Sequence, residues 1–263
     1  MITRFDHAVI AVPNVDDAID AYSALGFDVA AGGRHPSIGT QNAIVRFGLD
    51  YLELLAVEDF AQARASGPFG AELAEFLEQG GGLVGFVLAS SDLDQQSTGL
   101  SAIDQAHAGP FAMDRERPDG RRLAWRLVIP GNSPWRKTWP FLIEWETPDG
   151  DRLSWDSPGD HSNGECGVAG IELIVENIEA AKQFYEQGLG LRAVAHAPRS
   201  ATYVLGQFTL YVSEPADVLQ RDELKSRGPG PFRLLLESRV GTPTQGDLDI
   251  DAALGARIRI VTT

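Results

Sequence analysis

The sequence predicts an α+β protein made of paired βαβββ modules forming a cupped mixed sheet, and three observations predict it. The stretch 5-FDHAVIAVPNVDDAIDAYSALGF-27 runs from a Val/Ile-rich strand-like segment through an Asn into helical spacing that ends at Gly. The pattern returns at 170-GIELIVENIEAAKQFYEQGLGL-191, where Asn177 stands for Asn14 and Tyr185 for Tyr22. Short alternating runs follow each copy, which completes strand, helix and further strands.

Taken in order, the first module has its opening strand before Asn14, a helix after it, and strands at 42–47 and 51–57. Residues 58–82 read as a helix with its linkers. A fainter copy starts at 83-LVGFVLASSDLDQQ-96, where Asp92 suits an N-cap and Gln95, three residues on, completes a capping-box pattern. Its strands follow at 122–129 and 140–147. The polar, turn-rich run 157–166 marks a linker, giving a first domain of residues 1–156 and a second of 167–263. The second domain holds one full module with strands at 201–206 and 208–213. A reduced fourth follows, with strands at 231–240 and 256–263 and a short helix, so this domain is degenerate.

With 263 residues, 43% of them hydrophobic, the chain can bury a substantial core. A formal net charge of -15 repels phosphate backbones and anionic lipid, which excludes nucleic acid and membrane surfaces as expected partners and leaves small molecules. The single cysteine, Cys166, rules out an internal disulfide and suits a reducing compartment, so a cytoplasmic protein is expected. No run has the length or flanks of a signal peptide or membrane span.

Alternate strand residues share a face. Ala8, Ile10 and Val12 form the smoother apolar stripe, which sends His7 to the opposite, concave side. The same alternation in 51-YLELLAV-57 places Leu52 and Leu54 in the core and Glu53 beside His7, with Tyr51 and Leu55. The loop-like segment 32-GGRHPSIGTQN-42 offers His35 as a general acid or base, or as a further ligand, and Thr40 and Asn42 as holders of a carbonyl or carboxylate. All five tryptophans fall between Trp125 and Trp155, and eight of the 22 Lys and Arg between Arg115 and Arg152. If Leu123, Trp125 and Leu127 are the apolar face, Arg122 and Arg126 reach the concave side to pair with an anionic substrate, and Trp139 walls its apolar part.

Paired βαβββ units with His early in the first strand and Glu in the last resemble the vicinal oxygen chelate superfamily, which includes glyoxalase I, extradiol dioxygenases and the bleomycin-resistance protein. More narrowly, 33-GRHPSIGTQNAI-44, 51-YLELLAV-57 and 140-PFLIEW-145 resemble its glyoxalase-like branch. The resemblance implies one divalent ion, Zn, Mn, Fe or Ni, held by His7, Glu53 and Glu144, with Gly85 standing at the fourth ligand position. Glu144 then also takes a catalytic role. The activity implied is a metal-dependent lyase, isomerase or dioxygenase acting on a small, anionic substrate with two adjacent oxygens. The rival reading is a metal-free protein that sequesters a small molecule. The later copy has Gly170 for His7 and Tyr211 for Glu53, so it reads as scaffold, lid or homodimer surface.

Overall fold

A computed structural model describes residues 1–116, 120–239 and 246–262, without the side chains of 115 and 116. The basic neighbourhood loses Arg117 and the side chain of Arg115 to this limit. The ends of the strands expected to reach Val240 and Thr263 also lie outside the described residues.

The repeat is visible in the caps. Strand β1 (Ile2–Ala11) leads to α1 (Val15–Ala24), where extended Asn14 accepts from Asp17 N–H through Oδ1 at 2.9 Å and Asp16 and Asp17 complement the helix dipole. Then come β2 (Val29–His35), β3 (Thr40–Arg46) and β4 (Tyr51–Val57). The expected loop at 32–42 is thus a hairpin: β2 runs to His35, the chain turns at 36–39, with Gly39 at φ +66°, and β3 starts at Thr40. Two helices, α2 (Phe60–Ala65) and α3 (Pro68–Glu78), fill the segment read as one helix with linkers.

The second copy gives β5 (Gly82–Ser90), α4 (Leu93–Ala102), β6 (His107–Glu116), β7 (Arg122–Pro130), β8 (Phe141–Trp145) and a further helix α5 (Asp149–Trp155). Asp92 caps α4 through Gln95 N–H at 2.9 Å, while the Gln95 side chain accepts from the Met1 ammonium through Oε1 at 3.3 Å. The third copy has β9 (Glu165–Ile174), α6 (Ile178–Lys182) capped by Asn177, a π-helical turn at Gln183–Gly188, β10 (Ala193–Ala197), β11 (Ser200–Leu205) and β12 (Phe208–Ser213). Helix α7 (Val218–Arg227), β13 (Gly230–Ser238), β14 (Gly246–Asp247) and β15 (Ile258–Val261) complete the chain. No helix among the described residues is long and apolar enough to cross a membrane.

The strands form two mixed sheets, ordered β2-β3-β4-β1-β5-β8-β7-β6 and β10-β11-β12-β9-β13-β15-β14. In the first and second copies the opening strand lies parallel to the closing one, with Val9 beside Glu53 on β4 and Val87 beside Phe141 on β8. The two sheets take their strands from residues 2–145 and 165–261. Packing, however, sorts the chain into two compact units that do not follow chain order: 1–6, 86–155 and 171–232 in one, and 7–85, 156–170 and 233–263 in the other. Strands β1, β5, β9 and β13 each pass from one unit to the other.

In the unit holding His7, the core stripe is Ala8, Ile10, Leu52, Leu54, Ala43 and Val45, all at 0% exposure, with Ala18 and Tyr22 of α1. Burying each large aliphatic side chain in this stripe contributes about 1.5–3 kcal/mol. The Tyr22 hydroxyl donates to the Ala253 carbonyl at 3.2 Å. In the other unit its counterpart Tyr185 donates to the Thr138 carbonyl, and desolvation pushes both phenols above their ordinary pKa. The segment 157–166 is anchored to its unit by a buried histidine. His161 Nδ1 accepts from Asp28 N–H at 2.9 Å and its Nε2 lies 3.0 Å from the Arg46 carbonyl, an arrangement that puts the proton on Nε2.

Candidate functional site

The strand registers bring one polar cluster together on β1, β3 and β4. His7 pairs with Tyr51, and the neighbours of β4 on the other side are Arg46 for Tyr51, Ile44 for Glu53 and Asn42 for Leu55. Partners share a face, so His7, Asn42, Arg46, Tyr51 and Glu53 point the same way, opposite to the apolar stripe. The placement of His7 and Glu53 expected from alternation follows from this pairing. His7 is 8% exposed and its ring stacks on Tyr51, centroids 4.4 Å apart at 15°, with the Arg46 guanidinium 5.0 Å from the Tyr51 centroid.

His7 Nε2 stands 3.7 Å from Glu53 Oε2, beyond a direct hydrogen bond. The other carboxylate oxygen, Oε1, accepts from Asn42 Nδ2 at 2.5 Å, and Asn42 Oδ1 accepts from Gly33 N–H at 2.7 Å. Both ends of the Asn42 amide are therefore engaged within the chain. Thr40, 1% exposed, places Oγ1 3.0 Å from His35 Nδ1 across the β2–β3 pair.

The residues expected from the second copy have other partners. Arg126 holds the Glu144 carboxylate through Nε at 3.1 Å and Nη2 at 2.5 Å, and Asp94 lies 3.1 Å from its Nη1. Glu144 Oε2 also accepts from Leu93 N–H, the first residue of α4, at 3.3 Å. This carboxylate faces the helix, where the fork and the α4 N-terminus neutralise it. The bonds to Glu144 and then Asp94 hold the Arg126 guanidinium above its ordinary pKa. Arg122 is two-thirds exposed and pairs with Asp114 at 2.7 Å. Trp139 stacks on the buried Phe184 ring at 4.3 Å. Trp125 and Trp145 project from the opposite face of β7 and β8, 5.3 Å apart, and Trp145 Nε1 donates to Asp6 at 2.9 Å.

Register also changes which position corresponds to Glu53. Glu53 sits beside Val9, two residues after His7; two residues after Gly85 is Val87, and its neighbour on β8 is Phe141. The motif 140-PFLIEW-145 suggested Glu144, three residues away and on the other face. In the third copy β9 carries Gly170, and Tyr211 on β12 is 41% exposed.

A model of the glyoxalase-like domain matches residues 5–189. The chain belongs to the glyoxalase-like domain family. Among solved structures, it is similar to a hypothetical protein from Staphylococcus aureus, at 15% identity over 100% of both chains with a TM-score of 0.76. It is also similar to a mutant of 4-hydroxymandelate synthase from Streptomyces coelicolor, at 14% identity over 90% of this chain and 71% of that one, with a TM-score of 0.58. At these identities the likeness shows the fold alone. No curated protein matches the chain.

The donor set of this glyoxalase-like chain does not match the divalent ion that the sequence resemblance implies. Among the described residues, no group of three or more His, Cys, Asp or Glu side chains is arranged to hold an ion. His7 and Glu53 supply two donors, one of them on a carboxylate already bonded to Asn42, and Glu144 is committed to Arg126. Structural and catalytic sites ordinarily take at least three protein ligands, and the cluster does not fit that requirement.

Proposed function

We propose that this glyoxalase-like protein binds a small organic acid or hydroxy-carbonyl compound on the His7–Glu53 face of its first module, through side chains and without a resident metal ion. The observation that carries the reading is the 3.7 Å gap between His7 Nε2 and Glu53 Oε2. It exceeds a direct bond, yet one ligand oxygen can meet both groups, donating to the carboxylate and accepting from the imidazole. Because Oε1 is tied to Asn42, Oε2 is the oxygen turned to the ligand. Such a pair can also move a proton: the carboxylate takes it from a ligand O–H or activated C–H while an imidazole N–H supports the developing oxyanion. A lyase or isomerase step of this kind is within the reach of the two residues.

A second reading keeps the metal. His7 and Glu53 share one face with donor atoms 3.7 Å apart, a spacing one Zn, Mn, Fe or Ni ion can span, and a chelating substrate would complete its shell. The cytoplasm and a homodimer remain the expected setting for either reading.

The test combines elemental analysis of protein purified without chelator with titration by 2-hydroxy and 2-oxo carboxylic acids, followed through the His7 ring resonances. Binding that moves those resonances at well under one ion per chain supports the metal-free reading. About one ion per chain, lost together in His7→Ala and Glu53→Ala, transfers support to the metal-dependent enzyme.

A further inference from the structure

The β2–β3 hairpin contains an irregularity whose purpose is legible in its contacts. Register breaks between Ala31 and Arg34, so Gly32 and Gly33 bulge out of the ladder. At the bulge the Gly33 N–H donates to the side chain of Asn42 on the neighbouring strand β3, with Oδ1 at 2.7 Å. Gly32 passes so close that a methyl group on its Cα would run into Asn42 Oδ1. Gly32 is thus needed for close approach of the two strands at Asn42. The backbone donor fixes which end of the amide is oxygen, and this orients Nδ2 at Glu53 Oε1, 2.5 Å away. The reversed amide would set two oxygens against each other and two N–H groups at the backbone donor.

From this chain of contacts we infer that Asn42 is a positioning residue: the Gly32–Gly33 bulge sets its amide, the amide pins one oxygen of Glu53, and the pinned carboxylate presents its other oxygen toward His7. The sequence suggests that Asn42 holds substrate; in the structure one Nδ2 hydrogen and Oδ1 are engaged within the chain, which gives the residue a positioning role. The role rests on the proposed reading only in that the pinned pair is what meets the ligand. A carboxylate on its own strand samples several rotamers, and fixing one beforehand removes that entropy from the binding step.

The test uses the full chain with labelled glutamate, histidine and asparagine side chains. Asn42→Asp keeps the acceptor for Gly33 and replaces the donor to Glu53; Asn42→Leu removes both; Gly32→Ala pushes on the amide from behind. Each variant is checked for cooperative melting. In those that fold, the Glu53 carboxyl carbon and His7 ring resonances should move from their wild-type positions. Affinity for any 2-hydroxy acid that wild type binds should fall at least about tenfold, the scale of one lost bond to a charged group. In the wild type, one Asn42 Nδ2 proton should resonate downfield of those on other asparagines and return toward them in Glu53→Ala. Unmoved Glu53 and His7 resonances in folded Asn42→Asp overturn the positioning role. Moved resonances in a protein that binds no acid uphold it and count against the proposed function instead.

Discussion

Two glutamates on the closing strands of the first two copies, Glu53 on β4 and Glu144 on β8, have opposite surroundings. Glu53 is held by a neutral amide and faces an imidazole at 3.7 Å. Glu144 is gripped by the Arg126 guanidinium, with the first N–H of α4 on the same oxygen. A neutral donor orients a carboxylate and leaves its charge for a ligand, whereas a guanidinium fork neutralises it. The second-copy unit repeats this at Asp6, fully buried with Arg4 at 2.8 Å, Arg152 at 3.9 Å and Trp145 Nε1 at 2.9 Å. The comparison separates a carboxylate oriented by a neutral amide in the first copy from carboxylates cross-linked by arginines in the second, and the proposed ligand site lies with the first.

The largest effect that would break the comparison is on Asp6. Asp6→Ala removes the fully buried carboxylate shared by Arg4 and Trp145 Nε1, while Arg152 keeps Asp149 at 3.1 Å, and should cost about 2–3 kcal/mol in urea unfolding. A loss of under about 1 kcal/mol would mean these groups do not hold the unit together. Next come His7→Ala and Glu53→Gln. Each should weaken 2-hydroxy-acid binding by about tenfold or more, with the double mutant little worse than either, since one ligand oxygen meets both groups. Calorimetric titration of the three variants beside Glu144→Gln decides the contrast, because Glu144→Gln should bind within about twofold of wild type.

A smaller effect separates a third carboxylate from both. Glu165 is 2% exposed, its Oε2 has no hydrogen-bond partner among the described residues, and burial raises its pKa above the ordinary carboxylate value. An acid raised in the folded state contributes stability that is full below the unfolded pKa, about 4.3, and lost as pH rises through the folded value. Glu165→Gln should therefore melt a few degrees above wild type at pH 7 to 8 and level with it near pH 4. A variant that melts lower at neutral pH would show that the ionised carboxylate is needed. The smallest expected change is the stability of Glu144→Gln, about 0.5–1.5 kcal/mol by chemical unfolding, because the Arg126 pair is partly exposed.

The sequence by itself determined the modules, because caps and periodicity are local. Asn14, Asp92 and Asn177 each satisfy N–H groups within three residues, and apolar spacing marks the strand and helix beside them. The shared face of His7 and Glu53 was legible too, since alternation within each strand sets it once the core stripe is recognised. What only the tertiary structure decided depends on how strands far apart in the chain line up. The motif at 140–145 could not say whether Phe141 or Glu144 corresponds to Glu53, because a three-residue offset reverses the face and only the pairing of Val87 with Phe141 fixes it. Nor could composition show that the arginine at 126 meets Glu144 and Asp94. The two partners of the Asn42 amide, Gly33 N–H in the bulge and Glu53, were equally out of reach of the sequence, because strand pairing and a break in it set both contacts.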